Sequence, residues 1–199
     1  DMLDQRIIPE DNLICLGDSI QLNVREIPIG SVLLDSFTMN SEAVFTHITT
    51  ITTQLNKVYI LKVSGDYSKT VGEQRDAAYI YQQGGNNINP IAELGFTWNG
   101  QTQLPQGANA YPSYSADHEY EFGFAGNGLV QIISFSDGNY LDNSGSLHFE
   151  LYEIGGSISW STGDTSYHTM ATPLNNSMYY VTVSNGTNVC LDEVMVSVS

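Results

Sequence analysis

Apolar and polar side chains alternate along most of this chain, and this alternation is the feature that most restricts its fold. A period of two places every second side chain on the same face, which is typical of a strand with one buried face. Gly, Asn, Asp or Pro bounds these segments, and no long segment has the helical period with capping residues. The pattern therefore predicts an all-β protein. The segments that carry it are SIQLNV, VYILKVSG, AAYIYQ, YEFGF, LVQIISF, SLHFELYEI, YYVTVS and EVMVSV.

The charge of the chain argues against two classes of partner. Its 199 residues include 22 acidic and 6 basic ones, which gives a formal net charge of -16. Such a surface repels polyphosphates and anionic lipid, so nucleic acid is not an expected partner. No apolar run reaches the length of a membrane span, so no membrane insertion is expected. Most of the polarity comes from Asn, Ser, Thr, Gln and Gly, a composition that suits a secreted all-β protein.

The two ends of the chain read as halves of one domain. The motifs are ICLGDS at 14–19, WSTG at 160–163, YVTV at 180–183 and Cys190 before a last strand. In this order they resemble the PKD-like, immunoglobulin-like modules of secreted surface proteins of gliding bacteria. The resemblance implies a split domain made of residues 1–27 and 156–199. Residues 28–155 then form an inserted second domain, because a loop tolerates an insertion whose own ends lie close together.

The same resemblance sets an expectation for the two cysteines. In a sandwich of this type the first strand can lie parallel beside the last, which would bring Cys15 and Cys190, each at a strand start, to the same end of the module. A disulfide is then geometrically reasonable. The alternative is two buried free thiols, and a secreted protein favours the bond. Trp160 is expected in the core of this module rather than at a ligand platform.

Oxygen-bearing side chains crowd the turn FSDGNYLDNSGS at residues 135–146. An EF-hand starting at Asp137 would need a glycine at the sixth and a glutamate at the twelfth position, but Asp142 and His148 stand there. The turn is therefore not an EF-hand. Neighbouring carboxylates still cost free energy unless water or a cation compensates them. The turn thus predicts a Ca²⁺ site. The expected ligands of this site are Asp137, Asn139, Asp142 and Asn143.

This turn also resembles the calcium-dependent galactose-binding lectins of bacteria. The matching residues are Asp137, Asn139, Asp142, Asn143, Ser144, Gly145 and Ser146. Upstream, VYILKVSGDYS and DAAYIYQ resemble early strands of that family, so the likeness spans most of residues 30–154. It implies a small jelly-roll-like β-sandwich in which a main-chain carbonyl near Lys69 is a further calcium ligand and sugar hydroxyls complete the shell.

The resemblance also implies which residues contact the sugar. Asp137, Asn139 and Asp142 would do so through the shared metal site. The family's sugar-contacting loop corresponds to SKTVGEQR here, where Glu73, Gln74 and Arg75 are the substitutes for its histidine and glutamine. Gln74 and Arg75 are therefore expected carbohydrate-binding residues.

Catalysis is not expected from this sequence. HEYEF at 118–122 begins like a zinc-protease motif, but it lacks the second histidine and alternates like a strand. The histidines are scattered, and no nucleophile elbow, phosphate-binding loop or spaced carboxylate pair is present. The four histidines are His47, His118, His148 and His168. Trp98 and the tyrosines of ANAYPSY, within the long loop NGQTQLPQGANAYPS, would either stack on a sugar face or cover the core.

Together these features predict a calcium-dependent carbohydrate-binding module of a secreted or cell-surface bacterial protein, with a glycan or polysaccharide as its partner. The alternative is a calcium-stabilised structural spacer of an adhesin that has no ligand of its own. Because the chain opens at Asp1 without a leader, we also expect it to be part of a larger multidomain chain.

Overall fold

A computed structural model describes residues 6–8, 13–25, 30–55, 57–70, 72–82, 88–90, 94–102, 112, 114–184 and 189–199. These residues form strands and no helix, so the predicted all-β class is confirmed. No helix able to span a membrane occurs among them. The strands are β1 (Arg6–Ile8), β2 (Leu13–Ile14), β3 (Ile20–Arg25), β4 (Val32–Asn40), β5 (Phe45–Ile48), β6 (Val58–Ser64), β7 (Tyr67–Thr70), β8 (Glu73–Arg75), β9 (Tyr79–Gln82), β10 (Ile88–Pro90), β11 (Thr97–Trp98), β12 (Glu119–Ala125), β13 (Ile132–Phe135), β14 (Ser144–Glu153), β15 (Ser157–Trp160), β16 (His168–Ala171), β17 (Ser177–Ser184) and β18 (Val189–Val198).

The chain divides into two compact units. Unit 1 consists of Asp1–Val32 and Glu153–Ser199, and unit 2 of Leu33–Tyr152. Within unit 1, a Cβ atom on Gly155 would stand 1.7 Å from the carbonyl oxygen of Gly30, so only glycine fits at this approach. The chain therefore leaves and re-enters unit 1 at neighbouring points, which is the arrangement that a domain insertion requires.

Unit 1 has two small sheets. One sheet has the strand order β1-β3-β16 and the other β15-β17-β18-β2, with β2 parallel to β18 and the other pairs antiparallel. Trp160 is 3% exposed and donates its Nε1–H to the carbonyl of Ser166 at 3.0 Å, which confirms it as a core residue. Other buried apolar residues of this unit are Leu22, Val24, Ile154, Ile158, Tyr167, Ala171, Val181, Val183, Val194 and Val196.

The two cysteines are free thiols, so the expected disulfide is wrong for this structure. Strand β2 pairs with the last residues of β18, Leu13 with Ser197 and Ile14 with Val198, and Cys15 therefore follows at the C-terminal end of β18. Cys190 lies near the N-terminal end of that strand, eight residues before Val198 (198 − 190). At about 3.3 Å per residue the separation is roughly 26 Å, whereas a disulfide needs Cα atoms within about 7 Å. The parallel pairing was expected correctly, but its register separates the sulfurs.

Unit 2 is a β-sandwich whose two sheets share one aromatic core. The larger sheet has eight strands in the order β10-β9-β8-β7-β14-β6-β12, with β4 also paired to β14, and the smaller has the order β11-β13-β5. Phe149 of β14 stacks on Phe37 at 5.0 Å between ring centroids and meets Phe96 edge-on at 4.9 Å. The fully buried large side chains of this core are Met39, Tyr59, Leu61, Tyr67, Trp98, Phe122, Ile133, Leu147, Phe149 and Leu151.

Trp98 belongs to this core and is not a sugar-stacking surface. Its indole is 1% exposed, donates Nε1–H to Gln131 Oε1 at 3.0 Å and meets Phe124 edge-on at 5.0 Å. Tyr114 packs edge-on against Tyr79 at 5.4 Å. Most of the loop at 99–113, with Tyr111, lies outside the described residues.

A buried carboxylate ties separate segments of unit 2 together. Asp76 is fully buried, and its Oδ1 accepts the backbone N–H groups of Ala78 at 2.9 Å and Tyr79 at 2.7 Å. Its Oδ2 accepts the Tyr120 hydroxyl at 2.7 Å and His118 Nδ1 at 3.0 Å. Burial, reinforced by the bond to Asp76, raises the pKa of Tyr120. Four donors therefore replace the water that the carboxylate loses on folding.

We expect Asp76→Ala to lower the free energy of unfolding by about 3–5 kcal/mol, because it leaves these buried donors without their acceptor. Urea denaturation followed by tryptophan fluorescence measures the loss. Asp117→Ala, which removes an exposed carboxylate, is the control and should change stability by no more than about 0.5 kcal/mol. Equal stability of the two variants would contradict a structural role for Asp76.

Candidate calcium site

The predicted calcium turn connects β13 to β14 and is fixed to the core by Tyr140. The Tyr140 ring meets Phe135 edge-on at 6.3 Å, and its hydroxyl oxygen accepts the backbone N–H of Asp137 at 2.9 Å. Asn139 Oδ1 accepts the N–H of Leu141 at 3.2 Å, while the Leu141 side chain is 96% exposed. The turn therefore has an anchored base and an exposed tip.

Asp137 is held as an ionised carboxylate at the base of this turn. Its Oδ1 accepts the N–H of Gly138 at 2.7 Å and lies 3.7 Å from Lys69 Nζ, and its Oδ2 accepts Asn143 Nδ2 at 3.1 Å. Burial acts to raise the pKa of Asp137, but the hydrogen bonds from Asn143 and Gly138 and the charge of Lys69 outweigh it and hold that pKa below its usual range. The negative charge is thus present at neutral pH.

Asn143 links the turn to the chain more than one hundred residues earlier. It is 7% exposed, and its Nδ2 donates to the carbonyl of Ser41 at 2.9 Å as well as to Asp137. Both partners are acceptors, so the side-chain nitrogen must face them and the oxygen must face away. Asn143 Oδ1 is buried without a hydrogen-bond partner, and the same is true of Asp142 Oδ1. Two adjacent residues therefore each present an uncompensated oxygen.

Gly145 of the Ser-Gly-Ser motif lets β14 begin at this place. Its φ is +90°, and a Cβ there would stand 2.6 Å from the carbonyl oxygen of Asp66. Ser144 and Gly145 pair with Ser68 and Tyr67 of β7. Any larger residue at 145 would separate β14 from β7, so this glycine sets the distance between the turn and the strand that carries Lys69.

Lys69 lies at an irregularity in β7. Ser68 pairs with Gln74 and Thr70 with Glu73, so Lys69 is an extra residue of the kind found in a β-bulge. The sequence predicted its carbonyl as a calcium ligand, and that assignment stays a prediction. The structure places the Lys69 ammonium beside the turn, 3.7 Å from Asp137 Oδ1.

Gln74 and Arg75, the expected sugar contacts, lie on β8, two strands from β14. Gln74 is opposite Ser68, which is opposite Ser144, so Gln74 is roughly 10 Å from the start of β14 at about 4.8 Å per strand. Arg75 donates its Nε–H to Glu73 Oε1 at 2.6 Å. Of the predicted site residues, direct contacts therefore join Asp137, Asn143 and Lys69, while Gln74 and Arg75 belong to a neighbouring surface.

Sequence reasoning did not identify Ser41 or Tyr140 as parts of the site. Ser41 is fully buried, accepts from Asn143 through its carbonyl, and donates its hydroxyl and its N–H to the carbonyl of Gly145. Nothing in the local sequence of Ser41 indicates this partner. Tyr140 carried a weak signal, since an aromatic residue between Asn139 and Leu141 can anchor a polar turn to the core.

The donor chemistry fits a hard cation. Within the described ranges, no group of three or more His, Cys, Asp and Glu residues could hold a metal ion. A metal bound at the turn would therefore rely on Asp137 and Asp142 together with neutral oxygens, of which Asn143 Oδ1 is one. Ca²⁺ takes six to eight such oxygens in flexible geometry, whereas Zn²⁺ prefers nitrogen and sulfur. The residues present thus fit Ca²⁺.

Comparison with known proteins adds no family assignment. No family model matches the chain, and no curated protein matches it. One solved structure that it resembles is the crystal structure of Dscam1 isoform 1.9, N-terminal four Ig domains, at 6% sequence identity, with 98% of this chain and 72% of that chain covered and a TM-score of 0.21. A TM-score this low carries no argument about this chain.

We expect Asn143→Ala to lower the free energy of unfolding by about 1–2 kcal/mol in calcium-free buffer, because Ser41 and Asp137 then lose a buried donor. Asn139→Ala is the matched control, since it removes an exposed amide from the same turn. Urea titrations of both variants in a chelator give the two values. If Asn139→Ala costs as much as Asn143→Ala, the contact with Ser41 is not what holds the turn.

Proposed function

We propose that residues 33–152 form a calcium-dependent carbohydrate-binding module. The observation that supports it is the pair of buried oxygens, Asp142 Oδ1 and Asn143 Oδ1, that have no hydrogen-bond partner on two adjacent residues. The second of these residues also donates its Nδ2 to the ionised Asp137. Each uncompensated buried polar atom costs about 1–3 kcal/mol. A cation bound in the turn would remove that cost for both oxygens, and it would also balance two carboxylates.

Asp137, Asp142 and Asn143 would hold the ion, with Asn139 and the carbonyl of Lys69 as further ligands. With one oxygen from each residue they provide five oxygens, while Ca²⁺ accepts six to eight. The open positions would be filled by vicinal hydroxyls of a sugar, as in the calcium-dependent galactose-binding lectins that the turn resembles. Leu141 is almost fully exposed next to the site and offers an apolar surface to the carbon-bound face of a sugar ring.

The remainder of the chain suggests the kind of parent protein to which this module would belong. Unit 1 would be a split PKD-like, immunoglobulin-like domain that carries the module within a larger chain, secreted or displayed on the bacterial surface. Single-site binding of a monosaccharide through a few metal positions is weak, so adhesion would depend on several copies in the parent protein acting together. The resemblances in the sequence support this setting, and the strand order of unit 1 agrees with them.

A second candidate is a calcium-stabilised spacer with no ligand. The burial of the two unpartnered oxygens favours it, since an ion bound to them would lie partly inside the turn, and Tyr140 already fixes that turn to the core. The two proposals share the metal and differ in what occupies the remaining coordination positions, which is water in the spacer.

We expect the wild-type protein to take up one Ca²⁺ with a Kd on the order of 10⁻⁴ to 10⁻³ M, as in other extracellular modules, and to bind glycans only when calcium is present. Asp142→Ala should abolish both activities, whereas Asp117→Ala, which removes the same charge from an exposed turn, should retain them. Calorimetry and a glycan array probed with streptavidin-linked tetramers, with and without EGTA, provide the measurements.

Three outcomes separate the proposals. Calcium uptake with chelator-sensitive glycan signals supports the carbohydrate-binding module. Calcium uptake without any glycan signal, even for the tetramers, supports the spacer. Absence of calcium uptake by the wild-type protein at millimolar concentration rules out both.

A further inference from the structure

The side chain of Lys69 is directed at the same carboxylate that calcium would need. Lys69 Nζ lies 3.7 Å from Asp137 Oδ1, and the side chains are 36% and 13% exposed respectively. The chain has only 6 basic residues against 22 acidic ones, so a lysine at this turn is not explained by composition. The bulge of β7 and the pairing of Ser68 with Ser144 place Lys69 there.

An ammonium group and a calcium ion would compete for the carboxylate of Asp137. The ammonium is a compact, strongly hydrated charge on a flexible stem, and at 3.7 Å it forms an ion pair with the carboxylate. Ca²⁺ would take oxygens at about 2.3–2.6 Å and would repel a positive charge held against the same group. The two cations therefore compete for Asp137. The exposed part of the Lys69 side chain gives the ammonium access to solvent once it is displaced.

The burial of Asn143 distinguishes this place from an ordinary surface ion pair. Its Nδ2 is committed to Ser41 and Asp137, so Asn143 Oδ1 stays without a donor even though the Lys69 ammonium is close to the same carboxylate. Lysine therefore compensates Asp137 and leaves the oxygens of Asp142 and Asn143 uncompensated. Under the proposed function a metal ion would bind oxygens of all three residues, which would give it the advantage in the exchange.

We propose that Lys69 is a built-in competitor of Ca²⁺: its ammonium occupies Asp137 when the metal is absent, must leave when the metal binds, and so raises the calcium concentration at which the site fills. This inference rests on the proposed calcium site and adds to it a residue that sets affinity rather than one that supplies a ligand. The carbonyl of Lys69 is unaffected by side-chain substitution, so its predicted role as a ligand is separable.

The test compares three lysine variants by calorimetric titration with CaCl₂ at about 0.15 M NaCl. Lys69→Met keeps the apolar stem and removes the charge, and Lys69→Arg keeps a positive charge. Lys62→Met is the matched control, because Lys62 lies on the same sheet, is similarly exposed and pairs with another carboxylate, Glu119, at 3.1 Å. Lys62→Met and Lys69→Met change the net charge equally.

We expect Lys69→Met to lower the Kd for calcium roughly two- to five-fold, the range that corresponds to losing a partly exposed ion pair. Lys69→Arg should stay within about two-fold of the wild-type Kd, and Lys62→Met should match the wild type. A thermal melt gives a second readout, since the calcium-induced rise in Tm should be larger for Lys69→Met than for the other proteins.

Unchanged or weaker calcium binding by Lys69→Met overturns the inference, and so does an equal gain in Lys62→Met, which would show a general charge effect. If the wild type takes up no calcium at millimolar concentration but Lys69→Met does, the proposed function fails while the competitor role of Lys69 is supported. If no protein takes up calcium, the proposed site fails and the inference fails with it. If wild type and Lys69→Met bind equally well, only the inference fails.

Discussion

Strand β14 is the element on which unit 2 and its candidate site depend. It pairs with β4, β6 and β7, and its inward residues Leu147, Phe149 and Leu151 are fully buried. Burial of each such side chain contributes about 1.5–3 kcal/mol. Because β14 begins at Ser144, directly after Asn143, the position of the turn is set by the same packing that stabilises the sandwich. A site anchored in this way is organised before any ligand arrives.

Two carboxylates of unit 2 differ in the hydrogen-bond donors that surround them. Asp76 is fully buried and accepts four hydrogen bonds, so its charge is compensated within the protein. Asp142 carries a buried oxygen with no donor, and the neighbouring amide oxygen of Asn143 is in the same condition. In a chain with a net charge of -16, a cation bound at these oxygens, as proposed above, would lower the free energy.

The features that the sequence predicted are those fixed by local pattern. Alternation along SLHFELYEI anticipated β14, and the spacing of Asp137 and Asn143 placed two contacting residues in one turn. The partner of Asn143 could not be predicted, since Ser41 lies 102 residues away and only the folded sheet brings it near. The Lys69 side chain was missed because a bulge, rather than a sequence motif, directs it toward the turn.

The cysteines show the limit of a resemblance. The parallel pairing of the strand before Cys15 with the last strand of unit 1 was anticipated. Whether it joins Cys15 to Cys190 depends on register, which the alternation of the two-residue strand β2 does not specify. The burial of Trp160 could be predicted more securely, because a large apolar ring between turn motifs is seldom placed anywhere but in the core. Predictions of burial therefore agree with the structure better than predictions of contacts between distant residues.

The central claim is that Asp142 and Asn143 present their unpartnered oxygens to Ca²⁺. Its most direct test is a crystal structure grown with CaCl₂, with an anomalous difference map recorded at long wavelength. The account predicts one anomalous peak at about 2.3–2.6 Å from Asp142 Oδ1 and Asn143 Oδ1, with the Lys69 ammonium moved away from Asp137. An ordered water or a protein donor at hydrogen-bond distance from both oxygens, with no anomalous peak, would contradict it.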